Sequence, residues 1–155
     1  MPTKTTSMPK TPSRKKPANT LPLIAKHTVS LAAAKKIAST AESFARRKGW
    51  DVVIAVVDDG GHLVYLARMD DTQIGSVDVA LAKARTALAF KRPTKAWDKT
   101  LSDGRHAVLG LPGVTPVEGG LPLLVKGEFV GAIGVSGVTS AQDGEIAQAG
   151  AAVLA

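Results

Sequence analysis

The side chains best suited to chemistry lie on an alanine-rich stretch, SVDVALAKARTALAF, which has helical spacing. Lys83 and Thr86 fall on one stripe of this helix together with Val79 and Phe90. A lysine among apolar neighbours either buries its stem and extends its ammonium group to water, or presents a desolvated amine to a ligand pocket. The spacing leaves both interpretations open.

Alanine occurs on every side of the same helix. Side chains this small allow other backbones to approach closely. The pattern therefore predicts a helix packed against a sheet on one side and against a second surface on another, for which a neighbouring subunit is one candidate. The alanines concerned are Ala80, Ala82, Ala84, Ala87 and Ala89.

Other sources of chemistry are sparse. The chain has no cysteine, which excludes disulfides, thiolate metal sites and a cysteine nucleophile. His27, His62 and His106 lack the spacing of a helical metal-binding pair, so the sequence predicts no metal site. We expect His62 to be solvated beside a tight turn, whereas His106, next to Arg105 in a loop, is a candidate for facing a pocket. Neither a GxSxG nucleophile turn nor a phosphate-binding loop is present.

The net charge of +7 is concentrated at the N-terminus. Residues 1–27 are rich in Pro, Thr and Ser and contain no acid, which predicts a disordered basic tail before a single domain at residues 28–155. Because no aromatic residues are interleaved with these charges, we expect no nucleic acid partner. No apolar run reaches about 20 residues, so we expect no membrane span and a cytoplasmic protein. The basic residues are Lys4, Lys10, Arg14, Lys15, Lys16 and Lys26.

The remaining pattern predicts the elements that position these side chains. A helix with Ser30 as N-cap and Gly49 just past its end comes first. A strand pair turning at Asp59-Gly60-Gly61 follows, and the continuously apolar residues 52–57 predict that its first strand lies in the interior of a sheet, covered on both faces. The alanine-rich helix comes next, with Ser76 as N-cap and reaching about residue 90. A long loop with one or two short helical turns comes after it. A second strand pair turns at Lys126-Gly127, and a helix ends the chain. This order predicts an α/β (α+β) fold, a mostly antiparallel central sheet of about five strands with helices packed on it.

Several linked motifs resemble the GlcG/HbpS family of haem-binding-like proteins, also seen as the C-terminal domain of PduO-type proteins. The resemblance covers about residues 30–155. It implies a compact fold with a central antiparallel sheet, assembly into homo-oligomers up to octamers, and binding of haem or another tetrapyrrole in some members. Other members resemble small catabolic enzymes. The motifs are VVDDGGHLVYLARMD, SVDVALAKARTALAFKRPT, PVEGGLPLLVKGEFVGAIGVSG and QDGEIAQAG.

The family's recurrent motifs also suggest a site. In it, cationic side chains would meet a carboxylated ligand, Lys83 would act as an anion clamp or a base, and Glu118 would share the proton transfers. The alternative is that Arg68, Asp70 and Arg92 form ion pairs that hold a loop and subunits together. The matching residues are Arg68, Asp70, Lys83, Thr86, Arg92, Glu118, Gly119 and Gly120.

Two functions follow, from different classes of protein. The first is an oligomeric protein that binds haem or another tetrapyrrole through Arg and Lys contacts to its propionates, although the lack of cysteine and the few histidines leave the iron ligand unassigned. The second is a cofactor-free catabolic enzyme, an isomerase, lyase, deaminase or hydrolase, acting on an anionic small molecule such as a carboxylated ring-cleavage product. A purely structural oligomer would leave the polar residues of the alanine-rich helix unexplained.

Overall fold

A computed structural model describes residues 21–155 as a sheet lying between two layers of helices. The first 20 residues, and with them most of the predicted basic tail, lie outside the described part of the chain. Residues 21–27, the remainder of that predicted tail, form neither helix nor strand and are exposed. No helix within residues 21–155 is long and apolar enough to cross a membrane.

The sheet is antiparallel throughout, as predicted. It has four strands, all of them from the two predicted strand pairs, where about five were expected. The strand order is β2-β1-β4-β3, so β2 and β3 form the two edges. The strands are β1 (Val53–Asp58), β2 (Leu63–Arg68), β3 (Gly120–Val125) and β4 (Glu128–Ser136).

The interior strand β1 explains why residues 52–57 are continuously apolar. Its side chains alternate between the two faces of the sheet, and helices cover both faces. Val53 and Ala55 pack toward one helix layer, whereas Ile54 and Val56 pack into the larger core on the opposite side. All four are fully buried, which confirms the sequence interpretation of an interior strand.

Helices α1 (Leu31–Lys48) and α4 (Ser140–Ala151) cover one face of the sheet, and α2 (Ser76–Ala89) covers the other. The predicted ends of α1 are confirmed, because the Ser30 hydroxyl accepts from the backbone N–H of Ala33 and Gly49 is left-handed. Ser76 was predicted as the N-cap of α2, but Gly75 holds that position. The buried Ser76 hydroxyl instead contacts that of Ser136 on β4, at 3.2 Å.

Between α2 and β3 the chain forms a further helix, α3 (Thr94–Ser102), and a 3₁₀ turn, His106–Gly110. The sequence had indicated one or two helical turns among loops in this region. His106 is exposed in this 3₁₀ turn.

Helix α2 is rich in alanine because it lies almost directly on the sheet. A Cβ atom at Gly134 on β4 would stand 2.6 Å from the backbone N of Ala84 and would collide with the carbonyl oxygen of Ala80. Ala80, Ala84 and Ala87 are fully buried in this contact. The chain's own sheet therefore accounts for this side of the helix without a neighbouring subunit.

Candidate functional site

Lys83 forms a buried ion pair with Asp143 on α4. Its Nζ atom donates to Asp143 Oδ2 at 2.8 Å and to the carbonyl oxygen of Val135 at 3.0 Å. The two side chains are only 2% and 3% exposed. Helices α2 and α4 lie on opposite faces of the sheet. The Lys83 side chain therefore passes beside the last residues of β4, next to the start of β3, and links the two helix layers.

Two of the predicted site residues make room for this lysine. Gly119 has a φ of +130°, and a Cβ atom there would stand 2.9 Å from Lys83 Nζ. A Cβ atom at Gly120 would collide with the carbonyl group of Lys83. The Glu118-Gly119-Gly120 motif therefore contains glycine for close packing around the ion pair.

Electrostatics makes the two partners interdependent. Burial raises the pKa of the Asp143 carboxyl, while the hydrogen bond and charge of Lys83, together with the backbone N–H of Val138, act against that rise. Because the Lys83 side chain is buried against Asp143, its ammonium group neither reaches solvent nor faces a cavity. The helical spacing had allowed only those two interpretations. The role of Lys83 as an anion clamp or base stays a prediction that requires this pair to open.

Thr86 holds a loop against α2. Its buried hydroxyl accepts from the backbone N–H of Thr115 at 2.9 Å. The same hydroxyl lies 2.9 Å from the carbonyl oxygen of Ala82 and 3.1 Å from that of Gly113, to which it can donate. These backbone contacts use the hydrogen-bonding capacity of the hydroxyl. They hold the loop at residues 113–115 against α2, and this loop is a second surface of the kind that the alanine-rich helix was expected to meet.

The other charged candidates, two arginines and an aspartate, lie on the surface. Arg68 is the exposed last residue of β2, and Asp70 is exposed just beyond it. Arg92 stacks its guanidinium group on the ring of Trp97, 4.9 Å from the centroid, and its Nε donates to the carbonyl oxygen of Phe90 at 3.3 Å. None of the three lines either of the cavities described below.

Glu118 borders a cleft of about 670 Å³ between the start of β3 and the outer face of α4. Its side chain is 18% exposed, and Oε1 accepts from Lys95 Nζ at 3.1 Å. The side chain lies directly against Gly144 of α4. Of the predicted site residues, Glu118, Gly119 and Gly120 line this cleft together.

A cavity of about 840 Å³, here called the N-terminal cavity, lies at the opposite end of the sheet. It is formed by residues 24–27, the turn between β1 and β2, the end of α2 and the start of β4. Cationic, imidazole and apolar groups share its walls. The residues that matter here are Ile24, Lys26, His27, His62, Arg85, Leu88, Lys91, Glu128 and Phe129.

Both histidines of this cavity have a carboxylate at Nδ1. His27 Nδ1 lies 2.6 Å from Glu128 Oε2, and the resulting hydrogen bond and charge raise the pKa of His27. His62 Nδ1 lies 3.4 Å from Asp58 Oδ1. Partial burial would raise the pKa of Asp58, but the backbone N–H groups of His62 and Gly60 and the His62 ring lower it overall. A carboxylate at Nδ1 orients an imidazole so that Nε2 can bind a metal.

The cations of the cavity stand beside apolar surface. Arg85 lines the cavity, and its Nε donates to the carbonyl oxygen of Gly61 at 3.0 Å. The Lys91 ammonium group lies 5.4 Å from the centroid of the Phe129 ring. Such an arrangement suits a ligand that combines a broad apolar body with anionic substituents.

No pattern in the sequence links His27 with His62. They lie far apart in the chain, and His27 meets its partner Glu128 across 101 positions. The sheet order places the start of β4 beside the turn between β1 and β2, and this brings the two rings to one cavity. Residues 21–155 contain no cluster of three or more His, Cys, Asp or Glu side chains that could hold a free metal ion.

The architecture defines the class of protein, an α+β domain with a four-stranded antiparallel sheet between helix layers. The family model described as "Haem degrading protein HbpS-like" matches residues 29–152, and the chain belongs to this family. The resemblance seen in the sequence is thereby confirmed.

Similar proteins come from several bacteria. Protein GlcG of Escherichia coli K12 is 44% identical over 103 residues, which cover 66% of this chain and 77% of GlcG. The structure of an HbpS double mutant from Streptomyces reticuli has a TM-score of 0.80 at 33% identity, covering 94% of this chain and 98% of that one. A PduOC:haem complex has a TM-score of 0.73 at 28% identity, covering 81% and 94%.

Proposed function

We propose that this protein binds haem or a related tetrapyrrole in the N-terminal cavity and does so as a homo-oligomer. One observation carries the proposal. Two imidazoles, each with a carboxylate at Nδ1, line the same cavity as three cations and an apolar wall. The family description and the haem complex of the similar PduOC structure support this choice of ligand. The cytoplasmic location stays a prediction.

The donor set of the cavity fits the group. Imidazole nitrogen is a common axial ligand of haem iron, so His27 and His62 are the residues that would hold the metal. Lys26, Arg85 and Lys91 would pair with the propionates. These three side chains would then make the Arg and Lys contacts that were predicted from the sequence for other residues. Ile24, Leu88 and Phe129 would cover the macrocycle. When bound, haem supplies an iron centre able to bind small ligands and exchange electrons.

The charge of the cavity provides a first test. In the Lys26→Gln/Lys91→Gln variant we expect haemin to bind about tenfold more weakly, because two exposed charge contacts of about 0.5–1 kcal/mol each are lost. Haemin dimethyl ester, which lacks the two negative charges, should bind the variant and the wild type alike. Fluorescence quenching of Trp50 and Trp97 would follow both titrations.

The matched control is Lys35→Gln/Lys36→Gln, which removes the same charge from the exposed side of α1. It should leave haemin affinity unchanged. Equal weakening in both double variants would show that net charge acts at long range, and it would argue against the cavity as the propionate site.

A second candidate function is the cofactor-free enzyme acting on a carboxylated metabolite. The cleft at Glu118 favours it, because the partly exposed carboxylate there is paired with the exposed Lys95. If wild-type protein turns over a carboxylated ring-cleavage product, Glu118→Gln should lower kcat about 100-fold or more through loss of the base. Asp103→Asn, at an exposed ion pair outside the cleft, is the control. Unchanged turnover in Glu118→Gln would exclude this residue as the base.

A further inference from the structure

The edge strand β2 pairs with β1 on one side only, and no other strand of the described chain pairs with its outer edge. Its sequence, LVYLAR, contains no proline, no lysine and no charge before its final residue. The opposite edge strand, β3, contains Pro122, and its register is irregular between Leu123 and Leu124. Proline and irregular pairing are common means of preventing an edge strand from joining another sheet. Only β3 has them.

The open edge has backbone groups ready to pair. Just past the end of β2, Met69 donates to the carbonyl oxygen of Val52, which immediately precedes β1. Because hydrogen bonding alternates along an antiparallel strand, Ala67 and Tyr65 also turn their backbone groups toward β1. The N–H and C=O groups of Leu66 and Arg68 therefore point away from the sheet.

Apolar side chains accompany these groups. Helix α2 packs mainly on β4, β1 and β3, so it leaves β2 only partly covered. Leu63 is 46% exposed at the start of the strand. Leu66 is half-buried on the face that carries α2, where it packs beside Val77 and Leu81. A partner on this edge would bury both leucines.

We propose that β2 of a second copy of this chain pairs with β2 in antiparallel orientation and joins the two sheets into one. This surface rests on the homo-oligomer of the proposed function, for which it supplies the interface. A strand paired antiparallel with itself obeys two-fold symmetry, as most homodimers do. The pairing brings Arg68 of each copy toward the beginning of the other β2, next to Asp58 and Asp59, so the ends of the strand are complementary in charge.

The same pairing completes the N-terminal cavity. Within one chain, Arg68 lies at the end of β2 remote from this cavity. In the dimer, Arg68 of the second copy stands near His62, which lines the cavity, and adds a cation to its rim. In this way Arg68, which lies outside the cavity of its own chain, can contribute a cation to the proposed ligand site of the other copy.

The test replaces one exposed leucine on each edge of the sheet. Leu63→Lys places a charge on the proposed interface, whereas Leu124→Lys does so on β3, where Leu124 is 42% exposed. By light scattering at equal protein concentration, we expect Leu63→Lys to fall to half the wild-type mass or less, with unchanged circular dichroism. Leu124→Lys should keep the wild-type mass.

Hydrogen exchange provides a readout that needs no variant. The outward N–H groups of Leu66 and Arg68 should exchange slowly in the assembled wild type and faster on dilution. A monomeric wild type would refute both the oligomer and this interface. An oligomeric wild type with rapidly exchanging β2 amides, or with the mass unchanged by Leu63→Lys, would refute the interface alone and leave the homo-oligomer standing.

Discussion

Replacing Lys83 with methionine is expected to lower the free energy of unfolding by about 3–5 kcal/mol. Methionine fills much of the same volume but cannot neutralise Asp143, which then remains as a buried charge without its partner. The same change leaves the carbonyl oxygen of Val135 without the lysine's hydrogen bond. Urea denaturation at a fixed protein concentration would measure the loss, since assembly links stability to concentration.

Two further variants separate this ion pair from simple loss of a lysine. Lys83→Met/Asp143→Asn should recover much of the stability, because it removes the unpaired charge while the amide oxygen can still accept from Val138 N–H. Lys95→Met, at a lysine whose side chain is 71% exposed, should change stability by less than about 1 kcal/mol. A Lys83→Met protein as stable as Lys95→Met would contradict the buried pair.

The stability loss in Lys83→Met should also depend on pH. A buried carboxyl with a raised folded-state pKa binds its proton more tightly in the folded than in the unfolded chain. Such a group favours folding at low pH and opposes it as the pH rises through the folded pKa. Removing Lys83 takes away an influence that lowers the pKa of Asp143. The difference in stability between wild type and Lys83→Met should therefore be smallest in acid and grow toward neutral pH.

The second large effect is expected from the two histidines of the N-terminal cavity. Removing both in His27→Ala/His62→Ala should weaken haemin binding roughly 100-fold or more, since even residues that only orient metal ligands contribute 10–100-fold. Each single variant keeps one imidazole and should lose less. Both side chains are largely exposed, at 78% and 83%, so we expect the double variant to remain folded.

The elements were predictable because each depends on local pattern. Apolar residues at helical spacing and the Ser30 and Gly49 ends define α1, and the continuous apolar run of β1 already indicated cover on both faces. The strand number was overestimated by about one, since the two predicted strand pairs already supply all four strands of the sheet. Ser76 was misplaced by one position, since its hydroxyl bonds across to β4.

The environment of Lys83 was not predictable from helical spacing. Spacing shows which side chains share a stripe, but it does not show what the stripe faces. The partner Asp143 lies 60 positions away on a helix of the other layer, and only the glycines at the start of β3 open a passage to it. The same limit hid the N-terminal cavity, whose histidines meet through the strand order.

Titration of purified protein with haemin, followed in the Soret region, tests the tetrapyrrole site most directly. Wild type and His106→Ala, which removes the exposed histidine outside the cavity, are expected to give the same saturable shift at one haemin per chain. His27→Ala/His62→Ala should give only a weak, non-saturating change. A double variant that titrates like the wild type, or a wild type without a saturable shift, would contradict haem binding in this cavity.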